Sequence, residues 1–224
     1  MRILIDCADI EKIKEMDNIY PLHGVTCNPT ILKRANVSSL TELKTIKNYL
    51  GDRELHVQLI ATESKAMVDE ALYILDKLGK DVYIKVPVDK QGLIAIKLLK
   101  ERKVNVTATA IYDPMQAYLA ALVNADYVAP YVNRIEQISG NGIETACLIS
   151  DILKKNHLLC QVIGASFKRI DQVLAMAQHG IDSVTLSYEL LSTLLDNNYV
   201  DKAIKAFIND FEEIAGYKKT MLDL

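Results

Sequence analysis

Lys85 stands in the middle of an otherwise apolar run, Asp81-Val-Tyr-Ile-Lys-Val-Pro-Val88. β-Branched and aromatic residues bounded by turn formers predict a buried strand there. Strand side chains alternate, so Val82, Ile84, Val86 and Val88 form a packing face, and Tyr83, Lys85 and Pro87 share the other. An ammonium group buried without a partner is costly, and desolvation favours the neutral, nucleophilic amine. Such an amine attacks carbonyls to form a Schiff base. The protonated imine is an electron sink, so a neighbouring carbon–carbon bond breaks and leaves an enamine. That chemistry needs a group that moves protons and donors that orient a polyol.

Candidates for both stand near the ends of other strand-like runs: Asp6, Thr26 and Asn28, Gln58, Thr107 and Thr109, Tyr131, and Ser166. Several oppose an apolar face, as Asp6 opposes Ile3 and Ile5, and Gln58 opposes Val57 and Leu59. Asp6 is the one carboxylate of the set, suited to act as acid/base or to orient one. Tyr131, Thr109 and Gln58 are suited to hold a water that protonates the enamine. Residues of these types also cap strands and start turns in any α/β protein. Their convergence with a mid-strand lysine favours an active site, because burying them idly would require a private partner for each. Ser166-Phe-Lys-Arg169 suggests a phosphate site, where free N–H groups of a helix N-terminus join Lys168 and Arg169. Arg134 points to the same rim. Lys168 and Arg169 fit a solvated helix face equally well.

The positioning elements follow from periodicity. Strands are predicted at Arg2–Asp6, Gly24–Cys27, Leu55–Ala61, Val82–Val86, Val104–Ala110, Asp126–Val132, Cys160–Ala165 and Ser183–Leu186. Helices are predicted at Ile10–Met16, Ser38–Leu50, Ser64–Leu78, Gln91–Arg102, Pro114–Val123, Gly142–Lys155, Lys168–His179 and Glu189–Leu195, with a last one over Val200–Ala215. Strict alternation implies parallel strands and right-handed crossovers. Eight such units in 224 residues predict an α/β fold of the (β/α)8 TIM-barrel type, one domain over residues 1–224 with an extra C-terminal helix. The competing open doubly wound sheet lacks its Gly-x-Gly-x-x-Gly turn after strand one, and no P-loop is present. In a barrel, catalytic groups come from the C-terminal strand ends.

Composition narrows the classes. Half the residues are apolar, a quarter are charged, and net charge is −3. No basic tract suggests nucleic acid, and no apolar run is long enough to span a bilayer. The opening Met-Arg-Ile-Leu-Ile-Asp lacks the core and cleavage site of a signal peptide, so a cytoplasmic location is expected. Cys7, Cys27, Cys147 and Cys160 are scattered and form no metal-ligand pattern with the histidines. Reduced, mostly buried thiols are expected.

These residues, in this order, resemble the transaldolase family, and within it the short fructose-6-phosphate aldolase branch. The marks are Ile5-Asp6, Gly24-Val-Thr-Cys-Asn-Pro29, Gln58, Ile84-Lys-Val-Pro-Val88, Thr107-Ala-Thr-Ala110, Tyr127-Val-Ala-Pro-Tyr-Val-Asn-Arg134 and Ala165-Ser-Phe-Lys168. The resemblance implies a class I aldolase on a (β/α)8 barrel, with Lys85 forming the Schiff base and Asp6 beside it. It implies that Thr26 and Asn28 hold the donor part of a sugar. Arg134 and Ser166, with Lys168, would bind its phosphate. Sugar phosphates are the implied partners, and no cofactor or metal is implied. The last helix, about 199–215, would reach a neighbour in a homo-oligomeric ring, a pentamer or a decamer. The transaldolase branch typically has Glu at position 58 and Phe at 131, so Gln58 and Tyr131 resemble the aldolase branch. The implied reaction is cleavage of fructose 6-phosphate to dihydroxyacetone and glyceraldehyde 3-phosphate. The alternative is transfer of the dihydroxyacetone unit between sugar phosphates. A non-catalytic sugar-phosphate-binding barrel would have lost the lysine or its partners, and none is missing. Cys27, where the family has Thr or Ser, and Cys7 depart from the pattern; alternation turns both away from Lys85. The loop Lys33–Ser39 is also peculiar to this chain.

Overall fold

Every strand pairing is parallel, and the sheet closes on itself. In the computed structural model, which describes residues 1–35 and 39–224, the strands are β1 (Arg2–Asp6), β2 (Leu22–Thr26), β3 (Glu54–Gln58), β4 (Tyr83–Pro87), β5 (Asn105–Ile111), β6 (Tyr127–Pro130), β7 (Gln161–Gly164) and β8 (Ser183–Leu186). They form a closed barrel in chain order, β8 pairing with β1. The helices are α1 (Ile10–Asp17), α2 (Pro29–Ala35), α3 (Ser39–Leu50), α4 (Ser64–Leu78), α5 (Lys90–Glu101), α6 (Pro114–Leu122), α7 (Val132–Ser139), α8 (Gly142–Lys155), α9 (Ile170–His179), α10 (Tyr188–Thr193) and α11 (Asn198–Ala215). The architecture is the expected (β/α)8 barrel. The described chain divides into two compact units, Met1–Leu191 and Ser192–Leu224. The first contains the whole barrel. The second contains α11, capped by Asn197 on the Tyr199 N–H (2.9 Å), and a short 3-10 turn at Met221–Asp223. No helix among the described residues is long and apolar enough to cross a membrane.

Helix starts are written locally. Asp9 and Asp89 cap α1 and α5, and Asp113 with Gln116 forms a capping box around Pro114 at the head of α6. Between strands and helices lies the main core. Ile5, Val25, Ile84, Val86, Val106 and Ala108 are wholly buried, as are Ile13, Ala95, Ile96, Leu99 and Ala117 of the helices. Inside the barrel the floor is polar. Tyr127 donates to Glu54 (2.8 Å), Arg2 pairs with Glu54 (3.0 Å), and His56 lies between Glu54 (3.2 Å) and Thr107 (2.8 Å). Burial alone would raise the Glu54 carboxyl, but hydrogen bonds from His56 and Tyr127 and the Arg2 charge outweigh it and hold it low. Burial also favours neutral His56. With Glu54 ionised, the His56 proton sits on Nε2, and Nδ1 accepts from Thr107. This plug makes the lower barrel a filled core and leaves the mouth as the open end.

Gly24 shows how tightly the staves close. A Cβ there would lie 2.3 Å from the Glu54 carbonyl oxygen, inside hard contact with the paired strand. Gly24→Ala is therefore expected to lower stability by about 1–3 kcal/mol through overpacking. Thermal unfolding should register this as a Tm loss of several degrees, and an unchanged Tm would mean β2 moves aside freely.

Several expected boundaries need correction. The sixth strand stops at Pro130 instead of running to Val132, because the Val132 and Asn133 N–H groups donate to Ala165 and Ser166 carbonyls and start α7. The expected helices include neither α7 nor the short α2. The ninth helix begins at Ile170, not Lys168, because the Gln172 side chain takes the N–H groups of Lys168 (2.9 Å) and Arg169 (3.2 Å). The third strand ends at Gln58 rather than Ala61. Of the loop Lys33–Ser39, Lys33 to Ala35 belong to α2 and Ser39 starts α3, while Ser38 and its two predecessors lie outside the described residues.

Candidate active site

Parallel closure puts all eight strand C-termini at one end. There a cavity of about 430 Å³ opens, bordered by Asp6, Asn28, Lys85, Tyr131, Arg134, Ser166 and Lys168 among others. Seven of the sequence-predicted residues thus meet in one volume. Thr26 and Thr109 lie just behind it. Gln58 is the in-register neighbour of Lys85 on β3 but does not border the cavity.

Lys85 is 6% exposed on β4, flanked by wholly buried Ile84 and Val86. Its Nζ donates to the Cys27 carbonyl (3.2 Å) and makes no salt bridge among the described residues. Asp6, on β1, accepts from the Thr26 hydroxyl (2.5 Å), and Thr26 in turn meets Thr185 of β8 (2.7 Å). Since Thr26 spends its proton on Asp6, Thr185 is the donor in that second bond. Burial pushes the Asp6 carboxyl above its ordinary range, opposed by Lys85, the Thr26 hydrogen bond, Arg134 and Arg34. A carboxyl held so takes up and releases a proton more readily at working pH than a solvated one. Across the mouth, the Tyr131 hydroxyl lies 3.1 Å from Thr109 Oγ1. The Gln58 Oε1 is buried with no hydrogen-bond partner among the described residues, an acceptor that a small donor such as water would satisfy.

The anion rim differs from expectation. The N–H groups at residues 168 and 169 are spent on Gln172, so the helix start offers them to no phosphate. Arg169 is tied to Glu136 (3.0 Å) and Asp171 (2.9 Å), and only Lys168 of the pair reaches the cavity. Ser166 adopts a left-handed backbone (φ 62°), uncommon for a residue with a side chain. A strained conformation beside a ligand cavity is a mark of a built site. Arg134, from the first turn of α7, stacks on the Tyr131 ring at 4.8 Å.

A sequence profile described as transaldolase/fructose-6-phosphate aldolase matches residues 3–222. The chain belongs to this family. A Clostridioides difficile (strain 630) protein named "Probable transaldolase" is 34% identical over 212 residues, 95% of this chain and 97% of that relative. The transaldolase/fructose-6-phosphate aldolase family is enzymatic and acts on sugar phosphates, so the cavity is read for that class of ligand.

Sequence reasoning missed several groups of this family member's cavity. Thr185 borders it and was findable, since it is the inward residue of Ser183-Val-Thr-Leu186 by the same alternation. Lys12 and Arg34 also border it; they stand on α1 and α2, away from any strand pattern. Cys7 borders it as well, while the Cys27 thiol turns to the Cys7 carbonyl (3.1 Å). Burial pushes the Cys27 thiol well up, so it is a packing group rather than a nucleophile. Among the described residues no group of three or more His, Cys, Asp or Glu is placed to hold a metal ion.

Proposed function

We propose that this family member is a Schiff-base aldolase that cleaves fructose 6-phosphate to dihydroxyacetone and glyceraldehyde 3-phosphate, and runs the reverse. The observation that carries it is a buried lysine amine opening on a cavity shared with a half-buried carboxylate, Asp6, and a cationic rim. Lys85 adds to the C2 carbonyl and loses water to form the imine. A base takes the C4 hydroxyl proton, the C3–C4 bond breaks, and the electron pair enters the imine as an enamine. Asp6, a half-buried carboxylate whose charge is coupled to Lys85, handles that proton directly or through water. Thr26 and Asn28 hold the dihydroxyacetone part, and Arg134, Ser166 and Lys168 take the phosphate. Protonation of the enamine by a water held among Gln58, Thr109 and Tyr131, then hydrolysis, frees the lysine.

The second reading is transaldolase, in which the enamine waits for an aldose phosphate. The name of the Clostridioides difficile relative supports transfer more directly than cleavage. Gln58 and Tyr131 support cleavage, through the unpartnered Gln58 acceptor and the Thr109–Tyr131 hydroxyl pair, groups suited to hold a water. Incubation with fructose 6-phosphate alone separates them. Glyceraldehyde 3-phosphate released without an acceptor supports the aldolase, and release only with erythrose 4-phosphate overturns it. Gln58→Glu is expected to raise the ratio of transfer to cleavage by about tenfold, the weight of one altered hydrogen-bonded group. An unchanged ratio would show that position 58 does not set the choice.

Two further assignments go with this reading. A cytoplasmic location suits the substrate class. The exposed apolar side chains of α11, Val200, Ile204, Phe207, Ile208 and Ile214, suit a second copy of the chain in a pentamer or decamer. Light scattering on the eluted protein tests the assembly, and a monomeric mass removes it.

A further inference from the structure

The residue that shapes the phosphate rim without bordering the cavity is Tyr112. Strand alternation would send it outward. Thr109 faces the mouth, so strict period two would put Ile111 inward and Tyr112 toward the helices. The register between β5 and β6 shifts between Ala108 and Ile111, and Ala110 takes a left-handed backbone (φ 56°). One extra residue in a strand inverts the phase beyond it. Ile111 is thereby wholly buried, and Tyr112 is turned over the rim.

Three contacts then meet at one place. The Tyr112 hydroxyl accepts from Arg134 Nη1 (3.2 Å). The Arg134 guanidinium lies 4.8 Å over the Tyr131 ring. The Tyr112 and Tyr131 rings meet edge to face at 5.7 Å. The backbone beneath is fixed as well, since Tyr112 N–H donates to Gln116 Oε1 (2.9 Å) and Tyr131 N–H donates to the Ile111 carbonyl (3.1 Å). Arg134 is a long, rotamer-rich side chain exposed on the rim, and holding it in one fork geometry before a phosphate arrives removes much of the ordering cost of binding.

We propose that Tyr112 is a positioning residue that presets Arg134 over Tyr131, so that preference for phosphorylated aldehydes depends on a hydroxyl that does not touch the substrate. The proposal rests on the aldolase/transaldolase reading for its substrates but not for its geometry. Tyr112→Phe keeps the ring and its edge contact and removes only the acceptor. A hydrogen bond to a charged group is worth enough for a tenfold effect.

Condensation of dihydroxyacetone with glyceraldehyde 3-phosphate, and with unphosphorylated glyceraldehyde, reads it. Tyr112→Phe should raise KM for the phosphorylated aldehyde about tenfold with kcat little changed. Its kcat/KM for glyceraldehyde should stay within about twofold of wild type. In an Arg134→Gln background, Tyr112→Phe should add nothing. Equal losses on both aldehydes, no change on either, or an additive effect on Arg134→Gln would overturn the proposal. Binding of inorganic phosphate by calorimetry reads the same contact without chemistry. Weaker phosphate binding in Tyr112→Phe supports the preset arginine, and unchanged binding overturns it. A wild type that condenses neither aldehyde sinks the functional reading alone, and the phosphate arm still decides the role of Tyr112.

Discussion

Lys85→Met is expected to abolish turnover, by on the order of 10⁴ or more, while leaving the barrel folded. The expectation comes from two properties of the site. Met has nearly the length of Lys and no charge, so it fills the place of the Lys85 stem inside the barrel without leaving a cavity. Removing a 6%-exposed ammonium removes a desolvation cost but also takes from Asp6 the charge that holds its carboxyl down, so Tm should change little. Lys85→Arg sharpens the test. It keeps a cation in place, but arginine does not lose its proton in proteins and cannot form the imine. Both variants should be equally inactive if nucleophilicity is what counts. Lys85→Arg should retain much of the rate if only a positive charge is needed. Borohydride reduction with dihydroxyacetone followed by peptide mass analysis locates the amine. Lys12 and Lys168 also border the cavity, and an adduct on either would reassign the nucleophile.

Much of this site was legible because strand alternation is a strict rule. A period of two aims Asp6, Lys85 and Thr109 inward as soon as the strands are recognised. Parallel order then brings their C-terminal ends together with no further information. The failures sit where a side chain or a single extra residue interrupts the period. Gln172, several residues downstream, captures the N–H groups of Lys168 and Arg169 and delays α9. Lys168 and Arg169 are neighbours with the same charge, and only the acids around Arg169 decide that it leaves the rim. The bulge at Ala110 carries no glycine to announce it, yet it determines where Tyr112 points. The floor network joins Arg2, Glu54, His56 and Tyr127 from three strands, and no local pattern predicts which inward polar residues will find each other. The Cys27 backbone carbonyl, which holds Lys85, is invisible to any reading of side chains.

Asp6→Asn is expected to slow the reaction by about 10²–10⁴, the range for losing a positioned acid/base, and to make the protein more stable at neutral pH. The two effects have one cause. Burial pushes the Asp6 carboxyl up, although Lys85, Thr26 and Arg134 pull it down. A folded-state pKa above the unfolded one means that the folded chain binds the extra proton. The associated stability is then fully present below the ordinary aspartate range, near 3.8, and is lost as pH rises through the folded value. Above that folded value the wild type therefore carries an ionised carboxylate at a net cost. Asn keeps an oxygen to accept from the Thr26 hydroxyl and turns its amide toward the cavity, where water can meet it. A gain of about 1 kcal/mol would raise Tm by roughly 2–4 °C in a chain this size. The gain should shrink as pH falls through the raised folded value and be gone below about 4, where Asp6 is neutral in the unfolded chain as well. Melting curves at pH 7.5 and 3.5, set beside turnover numbers, check both halves. Equal Tm shifts at the two pH values would mean that the charge on Asp6 carries no cost. Full turnover in Asp6→Asn would move the proton-handling role to another group, and Tyr131, across the same cavity, is the next to test. An active site that trades stability for a usable proton should show the loss of one and the gain of the other in a single variant.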